Sequence, residues 1–438
     1  MDKNTIPPQE QSTEQNMSST IFFTTGELMA DFSKETVQQA DPLDSAQSLP
    51  ALFPQEERPA APSHTGPVTV VERPKRKKKR VIWPILRVTG KLLLGVLLAV
   101  AILAAGLVGY LTVTEYHPAY AELPQRGANS SKEPVRERQL RLVTFNTGYG
   151  ALGEDADFFM DGGVGVNPGS QDIVEGNMIG IERILNRVDA DLILLQEVDT
   201  DSDRSFQMNQ WLQYEYDLES HEYESRYALN YSCRYVPYPL KERIGKVNSG
   251  IATYSRFDIS SATRYSLPTP FSWPVRTANL KRCFLVTRIP IDNSTQELVV
   301  VNLHLEAYDD GEGKIAQTKQ LLDFLQAEYA KGNYVVAGGD FNQLFPGAER
   351  AYPIKETSTW VPGLLERLPQ DWQYAYDTSS PTSRLLNQPH DPSDKLTQYY
   401  VIDGFILSPN ITLDKVETLD EDFLYSDHNP VVLDITLN

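Results

Sequence analysis

Apolar residues are distributed along the chain in three regimes. Residues 1–74 show no sustained periodicity and are rich in Pro, Ser, Gln, Glu and Asp. Too little apolar surface exists there to offset the entropy of ordering, so a disordered tail is expected. From Leu92 to Val113 the chain is almost uninterruptedly apolar, with no polar face between Leu92 and Ala105. As a helix this stretch spans roughly 33 Å at 1.5 Å per residue, close to the roughly 30 Å hydrocarbon core of a bilayer. It reads as a single transmembrane helix. A cleaved secretory signal fits less well, although Ala119-Tyr120-Ala121 resembles a cleavage site, because the run is too long and starts too far into the chain. After a polar stretch at 114–138, read as a stalk, the pattern becomes short apolar runs alternating with amphipathic segments, from 139 to 438.

Within that last region the runs Leu140–Phe145, Leu192–Leu195, Val299–Leu303, Tyr334–Ala337, Tyr400–Leu407 and Val431–Leu437 have the length and branching of buried strands. Val174, Met178, Ile181, Leu185 and Val188 recur at helical spacing, as do Thr318, Leu322, Leu325 and Tyr329, and each stripe predicts a helix packed by one face. The segment from Gly153 to Ser170 is acidic and glycine-rich, without the ligand order of an EF-hand, and is expected as a long loop near the site. The segment from Pro268 to Arg282 interleaves Phe271 and Trp273 with Arg276, Lys281 and Arg282; it suits a phosphate or a lipid contact, and equally a solvated hairpin.

Charge and cysteine content narrow the picture. The run Lys75–Arg80, with Arg87 and Lys91, makes 75–91 a basic juxtamembrane segment, which predicts a cytoplasmic N-terminus and an external domain. A formal net charge of −19 disfavours non-specific binding of long nucleic acid, which is driven by phosphate neutralisation. Cys233 and Cys283 allow one external disulfide or two buried thiols, and no Cys/His cluster suggests zinc.

Polar residues at strand ends carry the chemistry. The apolar strands deliver Asn146, Glu197, His304, Asp340 and Asn342, while Asp403 sits inside an apolar strand and Asp427-His428 precede the last one. Singly each fits a turn or a satisfied structural group. A buried acid such as Glu197 or Asp403 is costly without a cation or a donor, and Asp403 is available to orient the imidazole of His428.

Taken in order, Thr144-Phe145-Asn146, Leu195-Gln196-Glu197-Val198, Asn302-Leu303-His304-Leu305, Gly339-Asp340-Phe341-Asn342, Ile402-Asp403 and Ser426-Asp427-His428 resemble the motifs of the endonuclease/exonuclease/phosphatase superfamily, whose fold is that of deoxyribonuclease I. The resemblance covers 139–438. It implies an α+β, four-layer α/β/β/α sandwich and Mg²⁺-dependent phosphoester hydrolysis, with Mn²⁺ as a substitute ion. It further implies Glu197 as the main metal ligand with Asn146 and Asp427 close to the same ion, Asp340 orienting the attacking water, Asn342 and His304 bonding phosphoryl oxygens, and Asp403 orienting His428. Together with the apolar helix, this makes the expected protein a single-pass cell-membrane phosphodiesterase or phosphatase acting outside on a small or lipid-borne phosphoester. A surface nuclease, with nucleic acid as substrate only, is the alternative. A catalytically dead scaffold would show eroded motifs, and the six are intact.

Overall fold

The computed structural model describes residues 82–438 except 132, 219–222 and 310. The expected tail at 1–74 and the basic run at 75–80 lie outside the described residues. The described residues form two units, divided between Leu107 and Val108. The first is most of the helix α1, Ile82–Val113. Its stretch Leu86–Val113 is long and apolar enough to cross a membrane. Leu92, Leu93 and Leu94 are each about two-thirds exposed, at 65%, 66% and 66%, which water would penalise and a bilayer would not.

The second unit contains, in chain order, β1 (Ala121–Glu122), β2 (Gln125–Arg126), β3 (Gln139–Asn146), α2 (Gln171–Val188), β4 (Leu192–Asp199), α3 (Gln210–Asp217), β5 (Glu224–Val236), β6 (Gly245–Ser255), β7 (Ser261–Ser266), β8 (Cys283–Pro290) and β9 (Glu297–His304). It continues with α4 (Glu312–Tyr329), β10 (Tyr334–Asp340), the short strands β11 (Gln343–Leu344) and β12 (Gly363–Leu364), β13 (Gln373–Ala375), β14 (Ser383–Arg384), β15 (Tyr399–Tyr400), β16 (Asp403–Leu407), β17 (Ile411–Thr418) and β18 (Val431–Leu437). Two mixed seven-stranded sheets result, ordered β1-β7-β8-β9-β10-β16-β13 and β17-β18-β3-β4-β6-β5-β2. The helix α2 packs Val174, Met178, Ile181 and Leu185 against the outer face of the second sheet. Leu321 and Leu325 of α4 do the same on the first. Leucines and valines of both sheets meet in the middle, so the architecture is the expected α/β/β/α sandwich.

Residues 114–138 differ from the expected stalk. They add β1 to the edge of one sheet and β2 to the edge of the other, and Val135 is buried in the inter-sheet core. Two-residue edge strands are too short to leave an apolar alternation for a sequence pattern to report.

Period-two alternation explains how this core becomes a site. The inward positions run Leu140, Leu142, Thr144, Asn146 on β3; Leu298, Val300, Asn302, His304 on β9; Tyr334, Val336, Gly338, Asp340 on β10; and Leu407, Phe405, Asp403 on β16. Each series is apolar at one end and chemical at the other. Between the two lies a buried polar layer: Gln196 Nε2 donates to Asn302 Oδ1 at 2.8 Å, and Asn302 Nδ2 donates to the carbonyls of Leu195 (3.1 Å) and Ala252 (2.8 Å), tying the sheets together.

Gly339 protects the register that aligns these ends. Its φ is +153°, and a Cβ there would lie 2.0 Å from the Leu303 carbonyl oxygen of the neighbouring strand. Gly339→Ala is expected to push β9 from β10 and cost roughly 3 kcal/mol or more, read as a lowered denaturation midpoint; an unchanged midpoint would contradict this packing. Cys233 and Cys283 are both free and buried.

Candidate active site

All eight residues singled out from the sequence converge at one end of the two sheets. Register does part of the work: in the first sheet Asp340 pairs with His304 on one side and with Asp403 on the other. In the second sheet Asn146 pairs with Gln196, next to Glu197. The loop before β18 brings Asp427 and His428, and Ser426 fastens it by donating its hydroxyl to the Asn146 carbonyl at 2.8 Å.

Asp340 is the hub. Its Oδ2 accepts from Asn146 Nδ2 at 3.1 Å and from Asn342 Nδ2 at 3.3 Å, and lies 3.4 Å from His304 Nε2 and 3.9 Å from His428 Nε2. Its Oδ1 accepts the Asn342 backbone N–H at 2.8 Å, an Asx turn that holds Asn342 at φ +51°. Asn342 is therefore presented by a left-handed turn after the strand rather than by strand alternation. Glu197 also departs from alternation, which would turn it toward α2. A bulge shifts the β4–β6 register between Leu195 and Val198, and Glu197 adopts φ +54°. Its Oε1 thus comes within 3.4 Å of Asn146 Nδ2 and 3.9 Å of His304 Nε2. Strained non-glycine backbone of this kind costs about 1–3 kcal/mol and concentrates at functional sites. Asp403 Oδ2 lies 2.8 Å from His428 Nδ1, a buried pair that fixes the imidazole.

Charge is strongly perturbed here. Burial, then the carboxylate of Asp403, raises the Asp340 pKa to about 7. Burial raises Asp427 to about 6, with Glu197 adding to the effect and His428 opposing it. Burial disfavours the charge on His428, but Asp403, Asp427 and Asp340 outweigh it and hold the imidazolium well above the usual range. His304 goes the other way, driven neutral by burial and by the nearby Arg282.

A cavity of about 140 Å³ opens above these groups. Its walls hold several residues that strand-end reasoning did not single out as site residues. Arg282 is buried, with its Nε and Nη1 unbonded; Glu306 Oε2, at 3.8 Å, is too distant to accept from it. Asn230 Nδ2 and His304 Nδ1 are likewise buried and unbonded on the same cavity. Unpaired buried donors are costly; Arg282 and Asn230 suit the oxygens of a bound phosphate, as does His304 in the tautomer that carries its single N–H on Nδ1. The acidic loop at 153–170 supplies Phe158, Met160 and Asp161 to the wall, as expected of a loop near the site. Asp161 accepts from the Tyr308 hydroxyl at 3.0 Å, and burial raises its pKa to about 6.

The donor set fits a divalent cation. Asp161, Glu197, Glu306, Asp340 and Asp427 line one cavity with Arg204, Arg282, Arg384 and the histidines, and such a gathering of carboxylate oxygens is the kind of donor set a hard divalent ion prefers. Glu197, Asp427 and Asn146 Oδ1, whose second lone pair stays free beside the Gly148 N–H, could hold it. Asp340, Asp403 and His428 also cluster within 4.8 Å. There, however, Asp403 Oδ2 is engaged with His428 Nδ1, and a protonated imidazole offers no lone pair.

The model of the endonuclease/exonuclease/phosphatase family matches residues 143–428, which contain every residue of the constellation. The chain belongs to the endonuclease/exonuclease/phosphatase family. It is a metal-dependent phosphoester hydrolase. Among solved structures it is similar to an endonuclease/exonuclease/phosphatase from Beutenbergia cavernae DSM 12333, at 19% identity over 69% of this chain and 72% of that one, with a TM-score of 0.49. A family member from Bacteroides vulgatus shares 16% identity over 68% of this chain and 99% of that one, with a TM-score of 0.45. The human Nocturnin catalytic domain with bound sulfate shares 18% over 72% and 97%, with a TM-score of 0.42. No curated protein sequence matches the chain.

Proposed function

We propose that this family member is a membrane-anchored, Mg²⁺-dependent hydrolase acting outside the membrane on a small or lipid-borne phosphoester. The observation that carries this reading is the buried Asp340 hub, which gathers two carboxamides and two imidazoles of opposite protonation around one carboxylate. Glu197, Asn146 and Asp427 hold the ion; Mn²⁺ substitutes for Mg²⁺. When bound, the ion supplies Lewis-acid stabilisation of charge on phosphoryl oxygens.

The protein groups divide the remaining work. Asp340 orients the attacking water and takes its proton. Neutral His304 donates to the phosphoryl oxygens, as does Asn342 by exchanging its 3.3 Å bond to Asp340 Oδ2 for one to the substrate while keeping that to the Leu305 carbonyl, and Arg282 adds a fixed charge on the same cavity. His428, kept protonated by Asp403, donates to the oxygen on which negative charge builds. Membrane anchoring rests on Leu86–Val113, and the basic run before it supports a cytoplasmic N-terminus.

Because Asp427 is raised to about 6, protons and metal compete for it. Metal affinity measured by calorimetry should tighten as pH rises from 5 to 7, by up to about tenfold per unit for each displaced proton. An affinity flat across that range would contradict Asp427 as a ligand.

The function is tested with the full-length chain in detergent and Mg²⁺, on plasmid DNA, single-stranded RNA, sphingomyelin, phosphoinositides and bis(p-nitrophenyl) phosphate. Turnover confined to lipid or small phosphoesters is expected. Metal-dependent nicking of DNA as the leading activity would replace this reading with that of a surface nuclease.

A further inference from the structure

One segment connects the end of the apolar helix with the wall of the cavity. The last turn of α1 and the residues after it belong to the catalytic unit, and their contacts converge on 268–282. Trp273 Nε1 donates to Thr112 Oγ1 at 3.0 Å. The Glu115 side chain, only 2% exposed, is clamped by Lys281 Nζ at 3.0 Å and Arg276 Nε at 3.3 Å. Leu111 is buried as well. The opposite side of the same segment faces the cavity through Phe271, Asn279, Leu280 and Arg282.

What remains outside is apolar and amphipathic. Tyr110 (46%), Val113 (87%), Tyr120 (65%), Leu123 (86%) and Trp273 (55%) are all exposed. They lie within about ten residues of the helix end or on the segment fastened to it. Tyr and Trp favour the headgroup region, where a ring can be apolar on one side and hydrogen-bonded on the other. If α1 spans the bilayer, connectivity alone leaves Thr114 at its surface, and the Glu115 clamp holds 268–282 beside it.

We propose that Trp273 and the residues around it seat this face on the outer bilayer surface, so that the cavity takes a phosphoester carried by a membrane lipid. The inference rests on the anchored-hydrolase reading and narrows its substrate. A headgroup phosphate needs only to move from the surface past Phe271 to reach Arg282 and Asp340, whereas a long polyanion would meet an acidic protein at an apolar rim.

The test uses the full-length chain in phosphatidylcholine vesicles containing sphingomyelin or phosphoinositides, with bis(p-nitrophenyl) phosphate as the soluble comparison. Trp273→Glu should lower lipid turnover at least about tenfold and leave soluble turnover within about twofold. Equal loss on both substrates, no loss on either, or cleavage of DNA without lipid turnover would overturn the proposal. A second readout does not depend on activity: quenching of tryptophan fluorescence by lipids brominated high on the acyl chain, with the Trp273 signal taken as wild type minus Trp273→Phe. Quenching of Trp273 is expected. If the remaining signal, which includes Trp83 on α1, is quenched but Trp273 is not, anchoring stands and docking is overturned. If neither is quenched, the anchored reading fails, and the proposal with it.

Discussion

Replacing Asp340 by Asn is expected to lower kcat by roughly a thousandfold or more, with KM changed little and the fold intact. The magnitude follows from removing a general base and a polar hub together, contributions of about 10²–10⁴ for proton transfer, with electrostatic orientation in addition. The change is nearly isosteric, and an Asn oxygen can still accept the Asn342 N–H that organises the turn at 2.8 Å. It also removes a carboxyl whose pKa burial has raised to about 7, which favours the variant at pH 8, while the new amide nitrogen faces the Asn146 and Asn342 amides that Oδ2 now accepts from, so the net change in stability at pH 8 should be small. Single-turnover kinetics beside a thermal melt separate the two effects. A kcat within tenfold of wild type would show that Asp340 does not handle the water.

Asp403→Asn carries the second-largest expected effect, a fall in kcat of about 10²–10⁴ that depends on pH. Asp403 is fully buried and never faces the cavity, so it acts through His428, to which it lies 2.8 Å from Nδ1. Its charge is the largest favourable influence on the imidazolium. Without it His428 loses its proton at lower pH, and the alkaline limb of the pH–rate profile should move to lower pH, so the deficit should be smallest in acid. A uniform loss at every pH would assign Asp403 a merely structural part.

The sequence pattern made the strand-end residues legible for a physical reason. Inward positions repeat every two residues, so a polar residue at the next inward place after a run of leucines and valines must emerge where the sheets open, as Asn146, His304, Asp340 and Asp403 do. Glu197 reached the site through a bulge and a left-handed backbone, and Asn342 through an Asx turn. Both were read from the sequence as strand-end residues, while the geometry that presents them was hidden, because bulges and turns of this kind depend on tertiary pairing. Arg282, Asn230 and the Tyr308–Asp161 pair come from separate elements and meet only across the cavity, and no local spacing announces such a meeting. Arg282 left one faint trace, the basic and aromatic interleaving of 268–282. The edge strands β1 and β2 left none.

The most direct test of one metal-dependent site is hydrolysis of bis(p-nitrophenyl) phosphate by the full-length protein with Mg²⁺, in excess EDTA, and after Mg²⁺ is added back. Turnover that disappears with the chelator, returns with the ion, and is absent from Glu197→Gln at equal thermal stability is the predicted result. Turnover indifferent to EDTA, or undiminished in Glu197→Gln, would contradict it.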